Sequence, residues 1–203
     1  MAAPSRAAEN LSTRASWLLA VICLSTATLT LCAEEAKLEL DDASGARFLT
    51  VTFRGGSERA QWVYTVFGDG GVTIGRFRST DLTTPMKRYS TTALGPEQRD
   101  LLDAVASARL HTYDDASIRQ REDATGRARS LATDLGEAVV SLHLVRGAST
   151  GSGGRQVVEK TFTVPGRVVL ATEFPEIEEY VALRRIFDIL HELKGRAIEE
   201  TLP

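Results

Sequence analysis

The sequence predicts an α+β domain, with an antiparallel sheet of about five strands and two amphipathic helices packed on one face. Two observations predict this fold. Short segments of alternating apolar and polar residues are separated by glycine-rich turns. Two longer segments repeat apolar residues at helical spacing. A charge-free segment at the N-terminus precedes them and resembles a signal peptide. The predicted order is β-β-β-α-β-β-α.

The first three strands are predicted to form a meander. Residues 48–54, FLTVTFR, alternate and are rich in β-branched and aromatic side chains, and QWVYTVF and VTIGRF follow the same pattern. Asp69 and Gly70 lie between the second and third segments, and this dipeptide favours a type I′ hairpin turn. The next loop contains a short edge strand near residues 86–91, because Pro85 keeps this segment from a central position.

The first helix is predicted from about residue 96 to residue 109. Pro96 suits the first helical position, and Glu97 favours the positive helix N-terminus. Leu101 and Val105 belong to one apolar face of this segment.

A hairpin and a second helix complete the domain. EAVVSLHLVR and RQVVEKTFTV alternate as strands around the glycine-rich residues 147–154. Pro175 then opens a helix that ends near Gly195, with Phe187 and Leu190 on its apolar face. We expect Phe187 and Leu190 to be buried against the sheet beside Trp62 or Phe53.

A polar insertion at residues 114–136 separates the first helix from the hairpin. Its residues 119–129 carry charges of both signs and no large apolar side chain, which predicts a mobile loop or a solvated helix. The segment has a local net charge of +2 in an acidic protein. We therefore expect an interaction loop that meets an acidic partner surface, and its basic residues are Arg119, Arg121, Arg127 and Arg129.

The N-terminus indicates export. Residues 1–33 combine two arginines with a charge-free stretch that ends in small residues, so we expect a signal peptide cleaved between Ala33 and Glu34. Two alternatives stay open: lipidation of Cys32, since LTLC resembles a lipobox, and retention of the leader as a membrane helix. Residues 34–46 would then form a flexible lead-in to a single domain at 47–199.

Composition narrows the function classes. Removing residues 1–33 from the 203-residue chain leaves 170 residues, and changes the formal charge from −3 to −4. Such a charge argues against sequence-independent nucleic-acid binding, which needs clustered Lys and Arg. Both cysteines lie in the leader, so the mature chain would contain no disulfide and no cysteine metal site.

No catalytic signature appears in the mature chain. GASTGSGGR lacks the lysine of a phosphate-binding loop, and a strand rather than a helix follows it. The G-x-S-x-G spacing at residues 147–151 therefore lacks the strand–turn–helix context of a nucleophile elbow. The densest polar cluster is HTYDD, where His111 with Asp114 or Asp115 could form an acid–base pair. The structural interpretation of the same cluster is a helix exit whose aspartate caps the next helix. We expect no cofactor and no metal.

The element order resembles a group of small exported bacterial domains that includes lipoprotein-like proteins and the emfourin-type inhibitors of thermolysin-like metalloproteases. The resemblance rests on TVTFRGG, on the hairpin YTVFGDGGVTI, on the helix ALGPEQRDLLDAVASARL, and on the closing LRRIFDILHEL. It implies an α+β fold and adds protease inhibition to the candidate functions.

These observations favour an exported, non-enzymatic binding domain that meets a protein partner in the periplasm or outside the cell. Nucleic acid is not expected as a partner, and the membrane is expected only through a lipid or an uncleaved leader. Two other functions stay open. One is a structural envelope lipoprotein, and the other is a hydrolase that uses His111.

Overall fold

A computed structural model describes residues 38–41, 45–55, 60–78, 80–128, 136–146, 156–165 and 169–202. The strands are β1 (Leu38–Glu39), β2 (Arg47–Arg54), β3 (Ala60–Phe67), β4 (Gly71–Arg78), β5 (Lys87–Thr92), β6 (Glu137–Arg146), β7 (Gln156–Pro165) and β8 (Ile198–Glu200). The helices are α1 (Gly95–Ser107), α2 (Asp115–Ala124), α3 (Val169–Glu173) and α4 (Glu178–Gly195). A 3₁₀-helical turn, Leu110–Thr112, joins α1 to α2.

The strands form one antiparallel sheet, which confirms the α+β class. Its order is β7-β6-β2-β3-β4-β5-β8, and β1 pairs with β6 beyond the end of β2. The predicted number of about five strands is wrong, because the described sheet has eight. Two of the additional strands, β1 and β8, contain two and three residues, too few to show an alternating pattern. The third, β5, was expected at an edge but lies between β4 and β8.

The β3–β4 turn differs from the predicted type I′ turn. Type I′ requires positive φ at both central residues, but in this turn only Gly70 has positive φ, at 87°. The amide of Gly70 donates a 3.0 Å hydrogen bond to the carbonyl of Phe67. The connection is therefore a three-residue loop, in which a type I turn is followed by a glycine in the left-handed region.

The helices cover one face of the sheet and enclose the core. Alternate residues of each central strand point to this inner face, for example Leu49, Val51 and Phe53 on β2. As expected, Phe187 and Leu190 of α4 are buried. The ring of Phe187 meets that of Phe53 edge-on, with centroids 5.1 Å apart.

Trp62 lies farther along the inner face, where the end of α4 covers it. The Nζ of Lys194 lies 3.5 Å from the centroid of its ring. Of the two predicted aromatic neighbours, Phe53 is therefore the one that packs against Phe187, while Trp62 holds a cation from the last turn of α4.

The opposite, outer face carries hydroxyl side chains across six neighbouring strands. Cross-strand register places them in one row: Thr161, Ser141, Thr50, Thr65, Thr73 and Ser90. Such alternation of apolar and polar faces is typical of an antiparallel sheet with one solvated side.

Part of the polar insertion is an ordered helix. Residues 119–124 belong to α2, so of the two expected forms, a mobile loop and a solvated helix, the structure shows the helix. Ile118 is 1% exposed, and the carboxylate of Glu122 accepts a hydrogen bond from Tyr180 of α4. One apolar anchor and a buried polar contact therefore help to dock the helix, although most of its other residues are polar.

Several predictions lie outside the described residues. They concern the leader with Cys32, Ala33 and Glu34, the first part of the lead-in, and Arg129 of the insertion. Among the helices that the structure describes, none has the length and apolar character needed to cross a bilayer.

Candidate binding groove

A groove of 550 Å³ lies between the beginning of α2 and strand β7. We call it the α2–β7 groove. Asp114, Asp115 and Arg119 form the helical side, residues 160–163 form the strand side, and Tyr113 lies between them. This volume falls within the roughly 300–1,000 Å³ of known ligand-binding clefts.

Two stacked aromatic rings form the base of the groove. The centroids of Tyr113 and Phe162 are 4.0 Å apart and the ring planes differ by 10°. Both residues are buried, at 4% and 8% exposure. Arg109 places Tyr113 here, because its left-handed backbone (φ 51°) ends α1 and turns the chain into the 3₁₀ turn. The base is therefore fixed by packing.

Interactions within the protein engage the acidic side chains of the groove. Asp114 caps α2, since its two carboxylate oxygens accept 3.3 Å hydrogen bonds from the amides of Ala116 and Ser117. Asp115 forms an ion pair with Arg119 at 2.7 Å, one turn farther along the helix. The structural interpretation of the aspartates as helix caps thus holds for Asp114.

The structure does not bring His111 into the α2–β7 groove. His111 lies in the 3₁₀ turn and is not among the residues that line the groove, whereas both aspartates are. The predicted pairing of His111 with these carboxylates in one concavity is not seen in this groove.

Lys160 brings a positive charge to the strand side. Its side chain points to the inner face of the sheet, in phase with Phe162, and it is opposite Leu142 of β6. The residue is half-buried and lines the groove. Such a lysine packs its aliphatic stem on apolar neighbours and presents its ammonium group to water. No ion pair joins it to any other residue in the described ranges.

The predicted interaction arginines serve different purposes. Arg119 borders the groove, but Arg121 forms an ion pair with Glu179 of α4. Arg127 lies 3.1 Å from the carboxylate of Glu176 and donates a 2.7 Å hydrogen bond to a backbone carbonyl at the end of α3. Arg121 and Arg127 therefore hold α2 and the residues after it against α3 and α4.

A second concavity, of 510 Å³, lies on the other side of α2. It shares Asp114 with the groove, and the Arg121–Glu179 ion pair lines it. The same ion pair joins α2 to α4, so this concavity lies where the two helices meet.

Sequence reasoning missed five residues of the groove: Tyr113 and the four strand residues at 160–163. One signal was visible, since Lys160 interrupts an otherwise apolar inward-facing series on the strand KTFTV. Nothing in the local pattern, however, reveals that this strand lies at the edge of the sheet beside α2.

No cluster of three or more metal-ligating side chains occurs in the parts of the chain that the structure describes. Comparison with known proteins adds no assignment. No protein-family model matches the chain, and a search of curated proteins gives no significant match.

Proposed function

We propose that this protein is an exported, non-enzymatic binding module that holds a segment of a partner protein in the α2–β7 groove. The observation that carries the proposal is the groove itself, which joins a stacked aromatic base and Lys160 to the edge of the sheet. In the part of the chain that the structure describes, Lys160 has no ion-pair partner and β7 has no second strand partner. Aromatic side chains at the centre of a contact surface are typical of binding sites.

The chemistry of the groove favours recognition over catalysis. A general acid or base must be available to accept or donate a proton at the substrate. Asp114 is engaged as a helix cap and Asp115 as the partner of Arg119. Both carboxylates therefore stabilise the beginning of α2.

The N-terminal leader supports export, and the resemblance to emfourin-type inhibitors supports one specific form of the function. In that form the partner is a secreted metalloprotease. Titrating the purified domain into thermolysin and measuring peptide hydrolysis tests this form, and unchanged hydrolysis at a large molar excess would remove thermolysin-like enzymes from the partner candidates.

Site-specific photocrosslinking tests the proposed function. A benzoylphenylalanine replaces Thr163, which is exposed beside the groove, and a control protein carries it at Asp103, which is exposed on α1. Both proteins are irradiated in an extract of the native host and the products are compared by mass spectrometry. We expect a discrete protein adduct from position 163 alone. Equal adducts from both positions would contradict a binding site in the groove.

A further inference from the structure

We propose that the partner segment binds as an additional antiparallel or parallel strand on the open edge of β7, with an acidic side chain opposite Lys160. This inference rests on the proposed function and specifies the partner's chemistry. It combines three observations: within the described residues, β7 has no second strand partner and Lys160 has no ion-pair partner, and two stacked aromatic rings form the base of the groove.

The backbone of β7 supplies the main binding groups. In the described sheet β7 pairs with β6 along its whole length, from Pro165 opposite Glu137 to Gln156 opposite Arg146, and has no partner on its other side. Residues of an antiparallel strand direct their amide and carbonyl groups alternately to the two sides, so about five of the ten face the open edge. An extended peptide satisfies such groups by strand addition.

Lys160 determines which strand fits. An inward-pointing charge on an edge strand protects that strand against unspecific pairing. An apolar or basic incoming strand would place an unfavourable side chain beside Lys160. An incoming strand with a glutamate or aspartate at the facing position would neutralise the ammonium group. Opposite charges directly across two strands stabilise the pair by roughly 0.2–1 kcal/mol.

The other positions of the bound segment follow from the alternation of side chains along β7. Phe162 lies two residues from Lys160 on the inner face, so the matching position of the partner meets the Tyr113–Phe162 stack and favours an apolar side chain. Thr161 and Thr163 face outward and favour β-branched or polar neighbours. The inferred ligand is thus an extended segment with an acidic and an apolar residue two positions apart.

Peptide titration tests this inference directly. The probe is a fluorescent eight-residue peptide, capped at both ends, that alternates threonine and valine and carries one glutamate in place of a valine. Its binding to the full-length protein is measured by anisotropy beside two peptides with glutamine or lysine at that position. We expect the glutamate peptide to bind roughly twofold to fivefold more tightly than the glutamine peptide, and the lysine peptide to bind most weakly.

Charge reversal and backbone methylation provide the controls. Lys160→Glu should invert the preference between the glutamate and lysine peptides, whereas Arg99→Glu, the same charge change on exposed α1, should leave their ratio unchanged. N-methylation of alternate peptide amides should abolish binding when the methyl groups face β7 and leave binding intact when they face away.

Two results would overturn the inference. One is equal binding of the three peptides together with insensitivity to N-methylation. The other is dimerisation of Lys160→Val, seen by sedimentation, without peptide binding by any variant, because Lys160 would then only protect the edge. If crosslinks from position 163 persist in either case, the proposed binding function stands and only strand addition fails.

Discussion

The hydroxyl of Tyr180 donates a 2.5 Å hydrogen bond to Oε1 of Glu122, which joins α4 to α2 in the interior of the protein. Tyr180→Phe removes the donor and leaves a buried carboxylate oxygen without this partner. A hydrogen bond to a charged group contributes about 1.5–3 kcal/mol, so we expect a loss of that size in the free energy of unfolding. Denaturant unfolding measures it. The control is Tyr89→Phe on the partly exposed β5, which should change the free energy of unfolding by less than about 0.5 kcal/mol.

The contact between Phe187 and Phe53 predicts a second stability effect. Phe187 is 6% exposed, and truncation to alanine leaves a cavity between α4 and the sheet. We expect Phe187→Ala to reduce the free energy of unfolding by about 3–5 kcal/mol. Val181→Ala on the same helix is the matched control, since Val181 is 47% exposed. Similar losses in the two variants would show that α4 does not dock through this face.

The ion pair between Glu97 and Arg196 predicts a dependence of stability on pH. The hydrogen bond from Arg196, with a 2.7 Å bond from the amide of Leu94, holds the pKa of Glu97 below its ordinary value. A lowered folded-state pKa contributes stability above the unfolded-state pKa of about 4.3, and this contribution is lost as the pH falls through the folded-state pKa.

Two variants test this dependence. Glu97→Gln and Arg196→Gln should each lower the urea midpoint at neutral pH, and the difference from the wild type should shrink as the pH falls below about 4. A difference that stays constant across this range would mean that the ion pair does not link folding to protonation.

Mass spectrometry of protein isolated from its native host tests the leader. We expect a mature chain that begins at Glu34, since the charge-free stretch ends at Ala33. A diacylglycerol adduct on Cys32 would instead establish the lipoprotein alternative. Recovery of the intact residues 1–33 would contradict both and favour a retained leader.

The sequence predicted those strands and helices whose apolar residues repeat regularly over several positions. The strands β2 to β4, the β6–β7 hairpin, α1 and α4 each carry an alternating or helical pattern over several residues. The short strands β1 and β8 could not be predicted, because tertiary pairing alone makes these polar segments extended. Helix α2 was ambiguous for a similar reason, since Ile118 is its only large apolar residue and its other contacts with α4 are polar.

The groove itself was not predicted, but three candidate residues of the sequence lie on its helical side. Asp114, Asp115 and Arg119 had been identified as candidates, and all three border it. Lys160 and Phe162 approach them from a strand more than thirty residues away in the chain, and their proximity depends on the order of the strands in the sheet. Sequence periodicity defines the faces of a strand, but it does not reveal which strand becomes the edge.

The order of the strands also determines when the domain can finish folding. The meander β2–β5 is contiguous in the chain, but β2 receives its second neighbour only from β6, where Arg54 lies opposite Glu137. Helix α4, which completes the core, and β8, which pairs with β5, are the last elements of the chain. Such non-local pairing slows folding. A nascent chain that ends before β6 would therefore expose the β2 edge, which makes incomplete chains prone to aggregation.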